Sequence, residues 1–157
     1  MKITTNKHKI IKLINNEKNL GFVPTMGAIH KGHISLIRKS VSQCKKTVVT
    51  IFINKPQFNK KGDFLNYPRN FKKDIFIIKK LKVNYLYIPK HKEIYPRGIN
   101  KKIKIHPFEK KLCGKNRKGH FKSVVDVIDR FINNVALLMS FFGKIVYSNL
   151  DQEGIDK

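Results

Sequence analysis

The sequence predicts an α/β fold, a Rossmann-like parallel sheet with helices on both faces. Three observations carry that expectation. Short apolar runs rich in β-branched and aromatic residues occur at 20–23, 47–54 and 83–89, separated by segments of helical periodicity about 10 to 15 residues long. Strands that alternate with helices form right-handed βαβ units, and those units make parallel sheets. A chain of 157 residues with 41% hydrophobic content is about one domain, long enough to enclose one core.

Each element has a local reason. In "NKHKIIKLINN", residues 6–16, Ile10, Ile11, Leu13 and Ile14 recur with roughly helical spacing, and 20–23 then reads as a short buried strand. From Gly32 to about Gln43, Ile34, Leu36, Ile37 and Val41 fit a second helix. "TVVTIFIN", 47–54, is the clearest strand: β-branched, almost wholly apolar and short. A loop holding Pro56, Gly62 and Pro68 is expected next, then a helix over 70–80 with Phe71, Ile75 and Ile78 on one face. "VNYLYIP" supplies a third strand, "KIKIH" a possible short one within a Lys-rich irregular region, and 121–138 a long helix leading into "SFFG".

The net charge of +24 invites a nucleic-acid reading, but 29 of the 34 basic residues are Lys and they lie in every segment rather than on one face. Lys is the weaker choice where bidentate recognition of phosphate or guanine is required. Joint enrichment in Lys, Asn, Ile and Phe is what A/T-rich codons supply, so compositional drift is the expected source of the charge. No apolar run approaches the roughly 20 residues that span a bilayer, which predicts a cytoplasmic protein. Cys44 and Cys113 have no ligand spacing and read as buried thiols, so neither a zinc site nor a disulfide framework is suggested.

In such sheets ligands sit outside the carboxyl ends of the strands. "PTMGAIHKGH" follows the first strand and "NKPQF" the second, so two polar groups of residues fall on one edge. Pro24 is expected to end its strand, because it cannot donate to a ladder. Gly27 and Gly32 let the backbone come close to a ligand. A helix starting near Gly32 aims its free N–H groups and positive dipole end at that ligand, which favours phosphate. His30 and His33 flank the same point, where an anion favours their protonated forms. Two imidazoles donating to phosphoryl oxygens can neutralise charge that develops at a phosphorus under attack. Neither a Walker A motif nor G-x-G-x-x-G is present.

The H-x-G-H pattern of His30 to His33, directly after a strand, resembles the signature of the nucleotidyltransferase superfamily. The longer blocks "VPTMGAIHKGHISLI", "IFINKPQFNKKGDFLNYPR", "EIYPRG" and "GHFKSV" resemble, in order, the pantothenate synthetase (pantoate–β-alanine ligase) family. That resemblance implies a homodimeric ligase using ATP and Mg2+. The carboxylate of pantoate attacks the α-phosphorus to give pantoyl adenylate and pyrophosphate, and the amine of β-alanine then displaces AMP. Met26, Gly27, Ala28, Ile29, His30, Lys31, Gly32 and His33 would line the ATP site, with His33 catalytic and His30 its partner. Gln57 would bind pantoate near the β-alanine entrance and Asn54 would support it. Tyr67, Arg69, Arg117 and His120 match positions near the substrates. No metal ligands from the protein are implied.

Two departures are visible. The family reads N-P-x-Q-F where this chain has Asn54-Lys55-Pro56-Gln57-Phe58. It also follows "FFG" with Glu-Lys-Asp and a glutamine pair, where this chain reads "KIVYSNLDQEGIDK". Lys144 could take the role of that lysine, whereas Ile145 and Val146 cannot replace polar groups. The expectation is therefore a domain at 1–143 that binds nucleotide and pantoate, a divergent tail at 144–157 in place of the family's C-terminal domain, and a truncated product of reduced or no activity. The alternatives are another H-x-G-H nucleotidyltransferase, which has no reason to carry "NKPQF" and "YPR", and a basic nucleic-acid-binding module.

Overall fold

The computed structural model describes residues 1–100, 103, 119–135 and 144–145. Five parallel strands form one sheet: β1 (Lys2–Thr4), β2 (Leu20–Thr25), β3 (Lys46–Ile51), β4 (Tyr85–Tyr87) and β5 (Lys144–Ile145), in the spatial order β1-β4-β3-β2-β5. The helices are α1 (Lys7–Ile14), α2 (Lys31–Gln43), α3 (Lys61–Asn66), α4 (Phe71–Lys80), α5 (His91–Ile94) and α6 (His120–Val135), with a 3-10 turn at Lys55–Gln57.

Side chains alternate along each strand and so serve two cores. Leu20, Phe22, Val48, Tyr85 and Tyr87 face α1 and α6 through Ile10, Ile14, Val127 and Phe131. Val23, Val49, Ile51 and Leu86 face α2 and α4 through Ile37 and Ile78. Helices therefore cover both faces, as the alternation of elements predicts. Capping fixes where two of these helices begin. Asn6 accepts from the Lys9 N–H at 2.9 Å to start α1, and Asn70 accepts from the Lys73 N–H at 3.1 Å to start α4. At Gly21 the α2 layer presses so closely on β2 that an added Cβ would stand 2.0 Å from Ser40 Oγ.

The chain runs from β2 out to β3 and β4, and only afterwards reaches β5 on the other side of β2. Strand order reverses at β2, and ligands bind beyond the carboxyl ends at such a reversal.

Several expectations change. Pro24 does not end β2, which continues through Thr25 in register with Thr50 and Ile51. The Thr25 carbonyl accepts from Phe52 on the β3 side, so Pro24 turns its missing N–H the other way. On that side, among the described residues, β5 pairs with Gly21 and Phe22 and not with Pro24. The expected loop after β3 contains the 3-10 turn and α3; Phe58 packs edge-on against Phe64 and Tyr67, at 5.5 and 5.3 Å between centroids, to hold it. Phe71 is exposed, and the buried stripe of α4 is Asp74 and Ile78. β1 and α5 escaped the sequence reading, being only three and four residues long. Cys44 is buried. Cys113, Arg117, most of "KIKIH" and the "FFG" segment lie outside the described residues. Among the described residues no helix is long and apolar enough to cross a membrane.

Candidate active site

The chain leaves β2 through a strained turn. Thr25 Oγ1 donates to the Thr50 carbonyl at 2.7 Å and accepts from the Gly27 N–H at 3.1 Å, which pins the end of β2 to β3. Gly27 (φ 81°) and Ala28 (φ 52°) both occupy the left-handed region, natural for glycine and costly for alanine. Asp74 of α4, 3% exposed, accepts from the Ala28 N–H at 3.0 Å and the Ile29 N–H at 2.9 Å. These two donors are thus engaged by the carboxylate. Ile29 belongs to the α2/α4 core rather than to a surface; Met26 and Ala28 are half-buried, Lys31 is exposed and Gly32 is half-buried.

His30 and His33 cap that helix reciprocally. His30 Nδ1 accepts from the Gly32 N–H at 3.1 Å, and His33 Nδ1 accepts from the His30 N–H at 3.4 Å, with ring centroids 4.0 Å apart. The Gly32 N–H, expected to be free, is therefore occupied by an imidazole. With both Nδ1 atoms accepting, each neutral ring carries its proton on Nε2 and presents it as a donor. His30 is exposed and His33 is buried.

Burial, and then the neighbouring His30, push His33 down to about 4 against the opposing pull of Asp74. With no anion beside it, His33 near neutral pH is therefore an uncharged Nε2–H donor. Its folded-state pKa lies below the unfolded value of about 6.5. The associated stability is therefore complete above pH 6.5 and is lost as pH falls towards 4. Urea unfolding at pH 7 and 4.5 is expected to show wild type losing about 2 kcal/mol more than His33→Ala over that interval. Equal losses in the two proteins would show that His33 is not held neutral.

At the end of the adjacent strand, Asn54 is 1% exposed and has all its polar atoms engaged. Its Nδ2 donates to the Ser123 carbonyl at 3.1 Å and to Gln57 Oε1 at 3.4 Å, and its Oδ1 accepts from the Tyr95 hydroxyl at 2.8 Å. Burial is the main cause that pushes Tyr95 up to about 12, so it is a protonated donor. The turn is fastened to α6 twice more. Ser123 Oγ donates to the Pro56 carbonyl at 2.8 Å, and His120 Nδ1 lies 2.9 Å from the Gln57 carbonyl oxygen. Gln57 is half-buried, its side chain oriented by Asn54. Tyr67 is half-buried against Phe58; burial first and the Asp74 charge second raise its phenol above the ordinary range. Arg69 is engaged with the last carbonyls of α3, donating to Phe64, Leu65 and Tyr67.

The histidine pair and the Asn54–Gln57 turn stand at the carboxyl ends of neighbouring strands, as the sequence predicts. Asp74, Tyr95 and Ser123 were missed. A carboxylate on the buried stripe of a Lys-rich helix, four residues before Ile78, was the available signal for Asp74. A separate apolar cleft of about 410 Å³ at the ends of β3 and β4 is lined by Ile51, Phe52, Phe64, Ile88 and His91 among others, and by none of the residues expected to bind substrates. Among the described residues no group of three or more His, Cys, Asp or Glu could hold a metal ion.

Fold and site together define a Rossmann-like α/β domain with a histidine pair at a helix mouth. Residues 2–150 match the family model described as "Pantoate-beta-alanine ligase". The chain belongs to that family. It is 39% identical over 136 residues to the pantothenate synthetase of Pseudothermotoga lettingae, covering 87% of this chain and 48% of that protein. It is also 39% identical over 154 residues to that of a Sulfurihydrogenibium species, covering 96% and 55%. The chain thus spans about half the length of the curated relatives it matches. A crystal structure of the Francisella tularensis pantoate-beta-alanine ligase, complexed with beta-gamma ATP and beta-alanine, superposes with a TM-score of 0.82 at 31% identity, covering 94% of this chain and 66% of that one. The pantothenate synthetase of Thermus thermophilus gives 0.81 at 24% identity, covering 94% and 61%, and shares the fold.

Proposed function

We propose that this chain forms the half of a pantothenate synthetase that binds nucleotide and pantoate, in the ATP-dependent condensation of pantoate with β-alanine. The observation that carries the reading is the reciprocal His30–His33 cap on the same sheet edge as the Asn54–Gln57 turn. One carboxylate oxygen of pantoate attacks the α-phosphorus of ATP, the bond to the β-phosphate oxygen breaks, and pyrophosphate leaves. The β-alanine amine then attacks the acyl carbon and AMP departs with the bonding electrons. His33 Nε2–H and His30 donate to phosphoryl oxygens where negative charge accumulates, which lowers the barrier most where solvent is excluded. Gln57, oriented by Asn54, positions pantoate, and mispositioning forfeits proximity. Mg2+ has no protein cage among the described residues and is assigned to the triphosphate, its usual carrier. A homodimer and a cytoplasmic setting belong to the same proposal.

Removing either imidazole tests the reading. His33→Ala and His30→Ala are each expected to weaken ATP binding by about 1 to 3 kcal/mol, the worth of a lost hydrogen bond to a charged group. Calorimetric titration decides, and unchanged affinity in both variants rules out the assignment. A duplex DNA titration at two salt concentrations separates the nucleic-acid alternative, because phosphate-driven binding falls steeply with salt.

A further inference from the structure

Asp74 is 3% exposed, yet no cation pairs with it among the described residues; its hydrogen-bond partners there are two backbone N–H groups. A buried carboxylate without a counter-ion is costly unless its lone pairs are satisfied, and here the two N–H groups and the amino-terminal end of α4, in whose first turn Asp74 lies, offset that cost. What Asp74 accomplishes lies 46 and 45 residues away in sequence, at Ala28 and Ile29. The backbone is in the left-handed region at Gly27 and Ala28, immediately before and at the first of these two donors. An added Cβ at Gly27 would lie 2.9 Å from Asp74 Oδ2 and 3.2 Å from Ile51 Cγ2, so the loop is seated against the carboxylate with no room for a side chain.

Resting on the nucleotide reading above, we propose that Asp74 is the positioning residue of the loop that precedes the histidine pair. By holding the Ala28 and Ile29 N–H groups it fixes the left-handed turn at Gly27 and Ala28. That turn sets where α2 begins and where the two Nε2–H donors point. The carboxylate does this without touching substrate. Without it, Ala28 is free to leave a conformation that is unfavourable for an alanine, and the helix mouth loses its fixed register.

The test is Asp74→Asn, which keeps the side-chain shape but places an NH2 group against one of the two N–H donors. Amide exchange measured by NMR is expected to accelerate at least tenfold at Ala28 and Ile29 while Val48 and Val49 in β3 are unchanged, and ATP affinity by calorimetry is expected to fall about tenfold. Ala28→Gly is expected to reduce the effect of Asp74→Asn on ATP affinity to under threefold, because glycine holds the left-handed turn unaided; a merely structural role for Asp74 would show no such coupling. Accelerated exchange with unaltered ATP affinity overturns the positioning role, as does weakened ATP binding with unaltered exchange. If the wild-type chain binds no ATP while exchange still responds, the nucleotide reading fails and the loop anchor alone stands. Should Asp74→Asn not fold, Asp74→Ser carries the same exchange test, since it removes the carboxylate and leaves the turn at Gly27 and Ala28 unaltered in sequence.

Discussion

Phe131→Ala is expected to cost about 3 to 5 kcal/mol of folding stability, the range for deleting a buried aromatic ring. Phe131 on α6 is 2% exposed and meets Phe22 at 5.8 Å, Phe52 at 5.9 Å and Tyr87 at 6.5 Å between centroids, the last two edge-on. One ring thus ties α6 to β2, to the end of β3 and to β4, and a methyl group in its place leaves a cavity that three strands would have to collapse to fill. Urea unfolding followed by circular dichroism measures it, as a lower midpoint at constant slope. A loss under 1 kcal/mol would mean that α6 is not docked on this face. The site would then lose its support, because the Asn54–Gln57 turn hangs on the first turn of the same helix.

Under the proposed function, a polypeptide of residues 1–157 used alone is expected to form pantothenate at least ~10³-fold more slowly than a full-length relative, about 4 kcal/mol in the barrier. The curated relatives are about twice as long as the stretch they share with this chain. Preorganised donors act strongly only where the reacting phosphorus is enclosed and water is kept out, and these residues supply one wall of such an enclosure. Weak ATP binding at the His30–His33 edge is expected to persist. A coupled assay for AMP with pantoate, β-alanine, ATP and Mg2+ gives the rate, and near-normal turnover would show that one wall suffices.

Fold class was legible because β2 and β3 are continuous apolar runs and α2 and α4 have helical periodicity between them; those signals are local. β1, α5 and β5 were not legible, since two to four residues carry no periodicity and exist only through pairing or packing supplied from elsewhere. Pro24 misled because its effect depends on which side of β2 its nitrogen faces, a property of the sheet rather than of the residue. Within the site the histidine pair was legible from H-x-G-H, but its charge state was not: the low pKa of His33 comes from burial and from His30, and only three-dimensional packing decides the first. Arg69 shows what the sequence leaves out. The resemblance of "YPR" placed it near the substrates, and nothing in that pattern showed that its guanidinium also donates to the Phe64, Leu65 and Tyr67 carbonyls in and just after α3.

The fastening of the Asn54–Gln57 turn to α6 also governs when the site comes into being. Its bonds join residues 63 to 69 apart in sequence, whereas those that seat the histidine loop span 25 to Thr50 and 45 and 46 to Asp74, and the histidine cap itself spans three or fewer. Closing a longer loop costs more chain entropy, about 0.6 kcal/mol per doubling, and non-local contacts form slowly. A chain synthesised from its amino terminus therefore completes the helix mouth first and acquires an ordered Gln57 only once residue 123 has emerged and docked. Nascent chains shorter than that can present the two imidazoles without the glutamine, so under the proposed function competence for nucleotide precedes competence for pantoate.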